Sequence, residues 1–174
     1  LLEKHPAALL ILVPRHPERF GPMFELCQRE GFRTQRRSTG ELVTVDTQVL
    51  LGDTMGELLF LYALADVAFV GGSLLPGRGG QNMMEPAAYG ASVMFGPHTA
   101  NFRETVAQLL ARNAARRVSG PHELTMHLRQ DLDDPEVAAA RGEAGRRVVL
   151  AQHGASGRTL VELDRLGGSS CTQK

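Results

Sequence analysis

The chain has 174 residues, 43% of them hydrophobic, which suffices for a packed core and argues against disorder over most of its length. Nineteen Lys and Arg balance nineteen Asp and Glu, so no net charge points to nucleic acid or to a strongly basic membrane face. Only Cys27 and Cys171 carry thiols, which leaves no disulfide framework and no thiolate metal site, and a reducing setting is expected. All the cations except Lys4 and Lys174 are arginines. Genome composition explains that bias as readily as the suitability of the guanidinium fork for phosphate.

No stretch reaches the roughly 20 apolar residues needed to span a bilayer, and no signal-peptide pattern opens the chain. The opening LLEKHP lacks an initiating Met and reads as the tail of a helix, so the expectation is a soluble fragment of a longer protein.

In chain order, the continuous apolar run Ala8–Pro14 predicts a central parallel strand covered on both faces. Phe20, Met23, Phe24 and Cys27 then follow helical spacing over residues 18–30, with Gly31 as the C-cap. A short strand is expected at Phe32–Arg36 and another at Gln48–Asp53, followed by a helix over Thr54–Ala65. Its start carries a Thr54-x-x-Glu57 capping box. Strand Val67–Val70, helix Glu85–Tyr89, strand Ser92–Pro97, helix Ala100–Arg112 and strand Ala114–Val118 continue the alternation. Helices are expected at 124–132, 135–152 and 156–166, ahead of a polar, disordered tail at 168–174. Strands alternating with helices imply right-handed crossovers and a doubly wound, Rossmann-like parallel sheet in one domain, 1–167.

Ligands of such a sheet bind outside the carboxyl ends of its strands. Three segments fall there: Pro14-Arg15-His16, Thr54-Met55-Gly56-Glu57, and the glycine-dense Gly71–Glu85. Arg15 offers a bidentate fork to phosphate or carboxylate, and a surface ion pair with Glu18 or Glu57 explains it equally well. Capping alone accounts for Glu57. Asn82 and Glu85 read either as a cap with its partner or as a carboxylate placed for ribose hydroxyls. His16 and His98 are isolated, no metal spacing occurs, and Gly77-Arg78-Gly79-Gly80 lacks the G-x-G-x-x-G order of a dinucleotide fingerprint. Walker A and a nucleophile elbow are absent too.

Taken in order, PRHPERF, RRSTGE, GDTMGEL, YALADVAFVGGSL, GGQNMMEPAAYG and GPHTANF closely resemble the C-terminal half of the 3-deoxy-D-manno-octulosonic acid (Kdo) transferases of lipopolysaccharide synthesis, from about Leu9 to Arg112. The resemblance implies the C-terminal half of a GT-B glycosyltransferase, which binds CMP-Kdo. It assigns CMP contacts to Pro14 and Arg15, to Met55, Gly56 and Glu57, and to Asn82, Met83, Met84 and Glu85. It further implies that Glu85 holds the ribose, that Arg15 stabilises the departing phosphate, and that no metal or other cofactor is needed. The resemblance also implies that the base and the lipid A precursor site belong to an N-terminal domain outside this chain, in an enzyme of the cytoplasmic face of the bacterial inner membrane. Two departures stand out. Asn82-Met83-Met84-Glu85 occupies the place of the family's NPLE, and the loop near Pro76-Gly77 is one residue longer. A GT-B relative using a UDP-sugar and a non-catalytic nucleotide-binding module are the alternatives.

Overall fold

Every strand expected from the sequence forms within its expected range in the structure, a computed structural model that describes Leu1 and residues 4–167. The strands are β1 (Leu10–Leu12), β2 (Thr34–Arg36), β3 (Val49–Leu51), β4 (Val67–Val70), β5 (Ser92–Phe95) and β6 (Ala115–Arg117). The helices are α1 (Phe20–Arg29), α2 (Leu58–Ala63), α3 (Met84–Ala88), α4 (Arg103–Ala111), α5 (Pro121–Asp133) and α6 (Pro135–Gly167). Hydrogen bonds join the strands in two parallel groups of three, ordered β1-β3-β2 and β4-β5-β6, where a single sheet was expected. The chain divides correspondingly into two compact units, Leu1–Leu64 and Ala65–Lys174.

In the first unit β3 is central, with Leu10, Ile11 and Leu12 of β1 opposite Val49, Leu50 and Leu51. The three β3 residues are buried. That matches the unbroken apolar character of a strand covered on both faces, whereas β1, expected to be the central covered strand, lies at the edge of this group with Leu10 53% exposed, because β3 takes the place between β1 and β2.

The second unit is a continuous β-α-β-α-β run whose core gathers Val70, Met83, Ala87, Val93, Phe95, Val106, Leu109, Val148 and Val149. Burying such side chains contributes about 1.5–3 kcal/mol each before entropy is counted. Helix α6 lies along α3 and β5.

Three helices end alike, and each ending delivers a strand. After α1 the amides of Gly31 and Phe32 donate to the carbonyls of Gln28 and Cys27, at 2.9 and 3.0 Å. The same double bond closes α3 through Gly90 and Ala91, and α4 through Asn113 and Ala114. This closure needs a left-handed residue just past the helix, and Gly31, Gly90 and Asn113 have φ of 82°, 83° and 51°. Gly31 is thus the stop that the sequence predicted.

The last helices differ from expectation. α5 begins at Pro121, earlier than residue 124, because Pro at the first helical position lacks only an amide that had no partner there. The separate helices expected at 135–152 and 156–166 are one helix, α6. Gly154 lowers helix propensity by about 1 kcal/mol relative to Ala, and without a proline that does not end a helix. The chain start is a turn in which the amides of Lys4 and His5 donate to the carbonyl of Leu1; Leu2 and Glu3 of the expected helix tail lie outside the described residues. So does the tail 168–174, with Cys171.

Candidate functional site

In the first unit, Pro14 and Arg15 follow β1, and Met55, Gly56 and Glu57 follow β3, its parallel neighbour. Both segments therefore leave the same carboxyl edge of one sheet. Arg15 is exposed, and Met55 is 70% exposed on a turn where Gly56 has φ of 84°.

The Thr54–Glu57 pair does not form the expected capping box. Helix α2 starts only at Leu58, with Glu57 as its N-cap, and neither end of the box bonds a backbone amide there. Instead the Thr54 hydroxyl donates to Glu57 Oε2, and Arg37 Nη2 donates to Oε1 at 2.9 Å. The Thr54 bond, with the Arg37 charge behind it, outweighs desolvation and holds the Glu57 carboxyl below its ordinary range.

Behind it lies Asp53, whose side chain is fully buried. Burial alone would raise its pKa. The Ser38 hydroxyl at 2.6 Å, the Ser38 amide at 2.8 Å and Arg36 Nε at 2.6 Å together push it down instead. The RRSTGE segment is thereby fastened to the GDTMGEL turn, and its two arginines serve two different carboxylates.

In the second unit, Gly71–Glu85 follows β4 and GPHTANF follows β5, again parallel neighbours. Ser73 joins the two loops. Its buried hydroxyl donates to the Val70 carbonyl at 2.6 Å and accepts the Gly96 amide at 2.8 Å, while its carbonyl accepts the His98 amide at 2.9 Å. A Cβ on Gly96 would collide with the Ser73 backbone, so glycine is what allows this approach.

Asn82 caps α3 from one position further out than predicted: Oδ1 accepts the Met84 amide at 3.0 Å, and Nδ2 donates to Glu85 Oε1 at 3.1 Å. Met83 is fully buried in the core, and Met84 packs partly against it. Their side chains anchor the segment while Asn82 and Glu85 stay half-buried at its surface.

The chain is similar to proteins of known identity. The chain is 43% identical to the 3-deoxy-D-manno-octulosonic acid transferase of Haemophilus influenzae over 161 residues, 92% of its length. The chain belongs to the Kdo transferase family. A Bordetella pertussis Kdo transferase is 41% identical over 91% of the chain, and a probable mitochondrial one from Arabidopsis thaliana 34% over 85%. The matches cover 38%, 37% and 34% of those relatives, so the chain spans under two fifths of their length. The crystal structure of the C-terminal CMP-Kdo binding domain of WaaA from Acinetobacter baumannii superimposes with a TM-score of 0.80 and 36% identity, over 85% of this chain and 77% of that one. No protein-family model matches the chain. The Rossmann-like fold expected from strand and helix alternation is therefore that of a Kdo transferase C-terminal domain.

Arg37, Asp53, Ser38 and Ser73 are positioning residues that the sequence does not single out. RRSTGE and GGSL were visible as motifs, but their partners lie 15 to 23 residues away and no local pattern names them. Among the described residues no group of three or more His, Cys, Asp or Glu is arranged to hold a metal ion, and no helix is long and apolar enough to cross a membrane.

Proposed function

We propose that this chain is the donor-binding domain of an inverting glycosyltransferase that moves Kdo from CMP-Kdo to a lipid A precursor. The observation that carries the reading is its likeness to the Acinetobacter baumannii CMP-Kdo binding domain, at 36% identity and a TM-score of 0.80.

In the first unit Pro14 shapes the turn and Arg15 takes the single phosphate of the donor. A guanidinium stabilises the charge that grows on that phosphate as the sugar departs, which calls for no metal. Met55 and Gly56 carry the exposed turn beside Glu57, and Arg37 fixes the Glu57 carboxylate. In the second unit Glu85, oriented by Asn82, accepts the ribose hydroxyls. Met83 and Met84 act by holding those two residues in place. The base that deprotonates the acceptor comes from an N-terminal domain, which also meets the lipid at the cytoplasmic face of the inner membrane.

Calorimetric titration with CMP, against UMP and UDP, tests the reading. Selective binding of CMP, unchanged by a metal chelator, is expected. Selective binding of UDP would overturn it in favour of a UDP-sugar donor.

A further inference from the structure

The second unit contains a cavity of about 380 Å³ between the Gly77–Gly79 loop and the Pro97–Arg103 segment. That volume lies toward the small end of the usual range for ligand pockets and accommodates one sugar rather than a dinucleotide. Arg78 and Arg103 line it together with His98 and Asn101, and no Asp or Glu is among its walls. Both arginines are exposed, and no described hydrogen bond or ion pair engages Arg78, Asn101 or Arg103. Two arginines lining one hollow that has no carboxylate in its walls leave positive charge facing whatever enters. Arg103 also opens α4, so the helix dipole adds to the same sign.

The cavity wall is built rather than accidental. Gly79 is buried with φ of 72°, and a Cβ there would strike the Asn101 side chain. The Ser73 bonds to Gly96 and His98 fix the two loops that face each other across the hollow. The same loop runs through Gly80 and Gln81 directly into Asn82 and Glu85.

We infer that this cavity is an oxyanion site for the carboxylate of the donor's sugar acid, held by Arg78 and Arg103. The inference rests on the donor reading above and adds the group that distinguishes a sugar acid from a neutral sugar. A nucleotide phosphate shares the oxyanion chemistry and is the other source of such a group; Arg15 already answers to it in the reading above, whereas Arg78 and Arg103 have no assignment.

The test compares CMP with CMP-Kdo by calorimetry on the wild-type chain and on the double variant R78Q/R103Q, whose exposed positions leave the core untouched. Wild type is expected to bind CMP-Kdo more tightly than CMP, and the double variant to lose about tenfold of that preference, the worth of one charge-assisted contact, with CMP affinity unchanged. An unchanged CMP-Kdo to CMP ratio overturns the site. A parallel loss of CMP affinity places the nucleotide phosphate there and overturns the carboxylate assignment. Wild-type chain that binds UDP in preference to both fails the donor reading itself, a result distinct from either of these.

Discussion

Ser38 grips Asp53 twice, its amide donating to Oδ1 at 2.8 Å and its hydroxyl to Oδ2 at 2.6 Å. The pair ties the RRSTGE segment to the turn that carries Met55, Gly56 and Glu57, so its protonation state bears on both fold and site. The Asp53 pKa is lower in the folded chain than its ordinary 3.8. Its stabilisation is therefore complete above pH 3.8 and is lost as pH falls through the lower folded value. Denaturant unfolding of the wild type followed downward from pH 5 should show that loss, and Asp53→Asn should flatten it. Asp53→Ala at neutral pH should cost about 1–3 kcal/mol, because the Ser38 amide and Arg36 lose their acceptor.

Arg15→Ala and Glu85→Ala should each weaken CMP binding by about 1–3 kcal/mol, the range for losing a charged or hydrogen-bonded contact. Calorimetry with CMP reads this directly. Unchanged affinity in both variants would remove the site assignment while leaving the family membership intact.

Arg37 acts on the proposed nucleotide site through Glu57, to which its Nη2 donates at 2.9 Å. Arg37→Ala should therefore lower CMP affinity several-fold, and Arg37→Lys should restore part of it by supplying the charge without the fork. A structural role alone would shift the melting temperature of both variants equally and leave CMP affinity where it was.

Asp131 is buried beneath β5, where Arg141 Nη1 reaches both its oxygens at 2.7 and 2.9 Å and the Ser92 hydroxyl donates at 2.7 Å. Desolvation lowers the pKa of the neighbouring Arg116, while the Asp131 charge at 3.3 Å acts against that shift. Removing the carboxylate strands two guanidinium groups, one of them 11% exposed. Asp131→Ala should destabilise the domain by about 3–5 kcal/mol, the cost of breaking a buried ion pair from one side, as measured by urea unfolding.

Gly142 sits inside α6, where helix propensity alone favours Ala by up to about 1 kcal/mol. The packing reverses that preference. A Cβ at residue 142 would overlap the backbone carbonyl of Gly90, which the closure of α3 holds in place. Gly142→Ala should therefore lower the melting temperature, whereas Gly21→Ala, with nothing within 4 Å of its new Cβ, should not.

Local chemistry made much of the fold legible. The β-branched and leucine runs at Leu10–Leu12, Val49–Leu51 and Val67–Val70 became strands because each is a short apolar run between turn signals, although only Val49–Leu51 is buried throughout. Gly31 stopped a helix for a reason confined to one residue's φ. The motifs around Arg15, Glu57 and Glu85 were legible for the same reason, as contiguous strings that resemble a known family. Capping was less secure, since Thr54 and Glu57 had the right spacing and spent their side chains on each other and on Arg37.

What the sequence by itself determined is the alternation of elements, the strand ends that carry polar and glycine-rich segments, and the family to which those segments belong. Only the tertiary structure decided that Met83 is a core residue, that Arg37 rather than a cap orients Glu57, and that Ser73 binds two loops together across 23 residues of chain. The division has a physical cause. Periodicity and φ preferences act within a few residues and can be read from a string. Burial, charge pairing and close backbone approach depend on which distant segments meet, and that is set by the packed core as a whole.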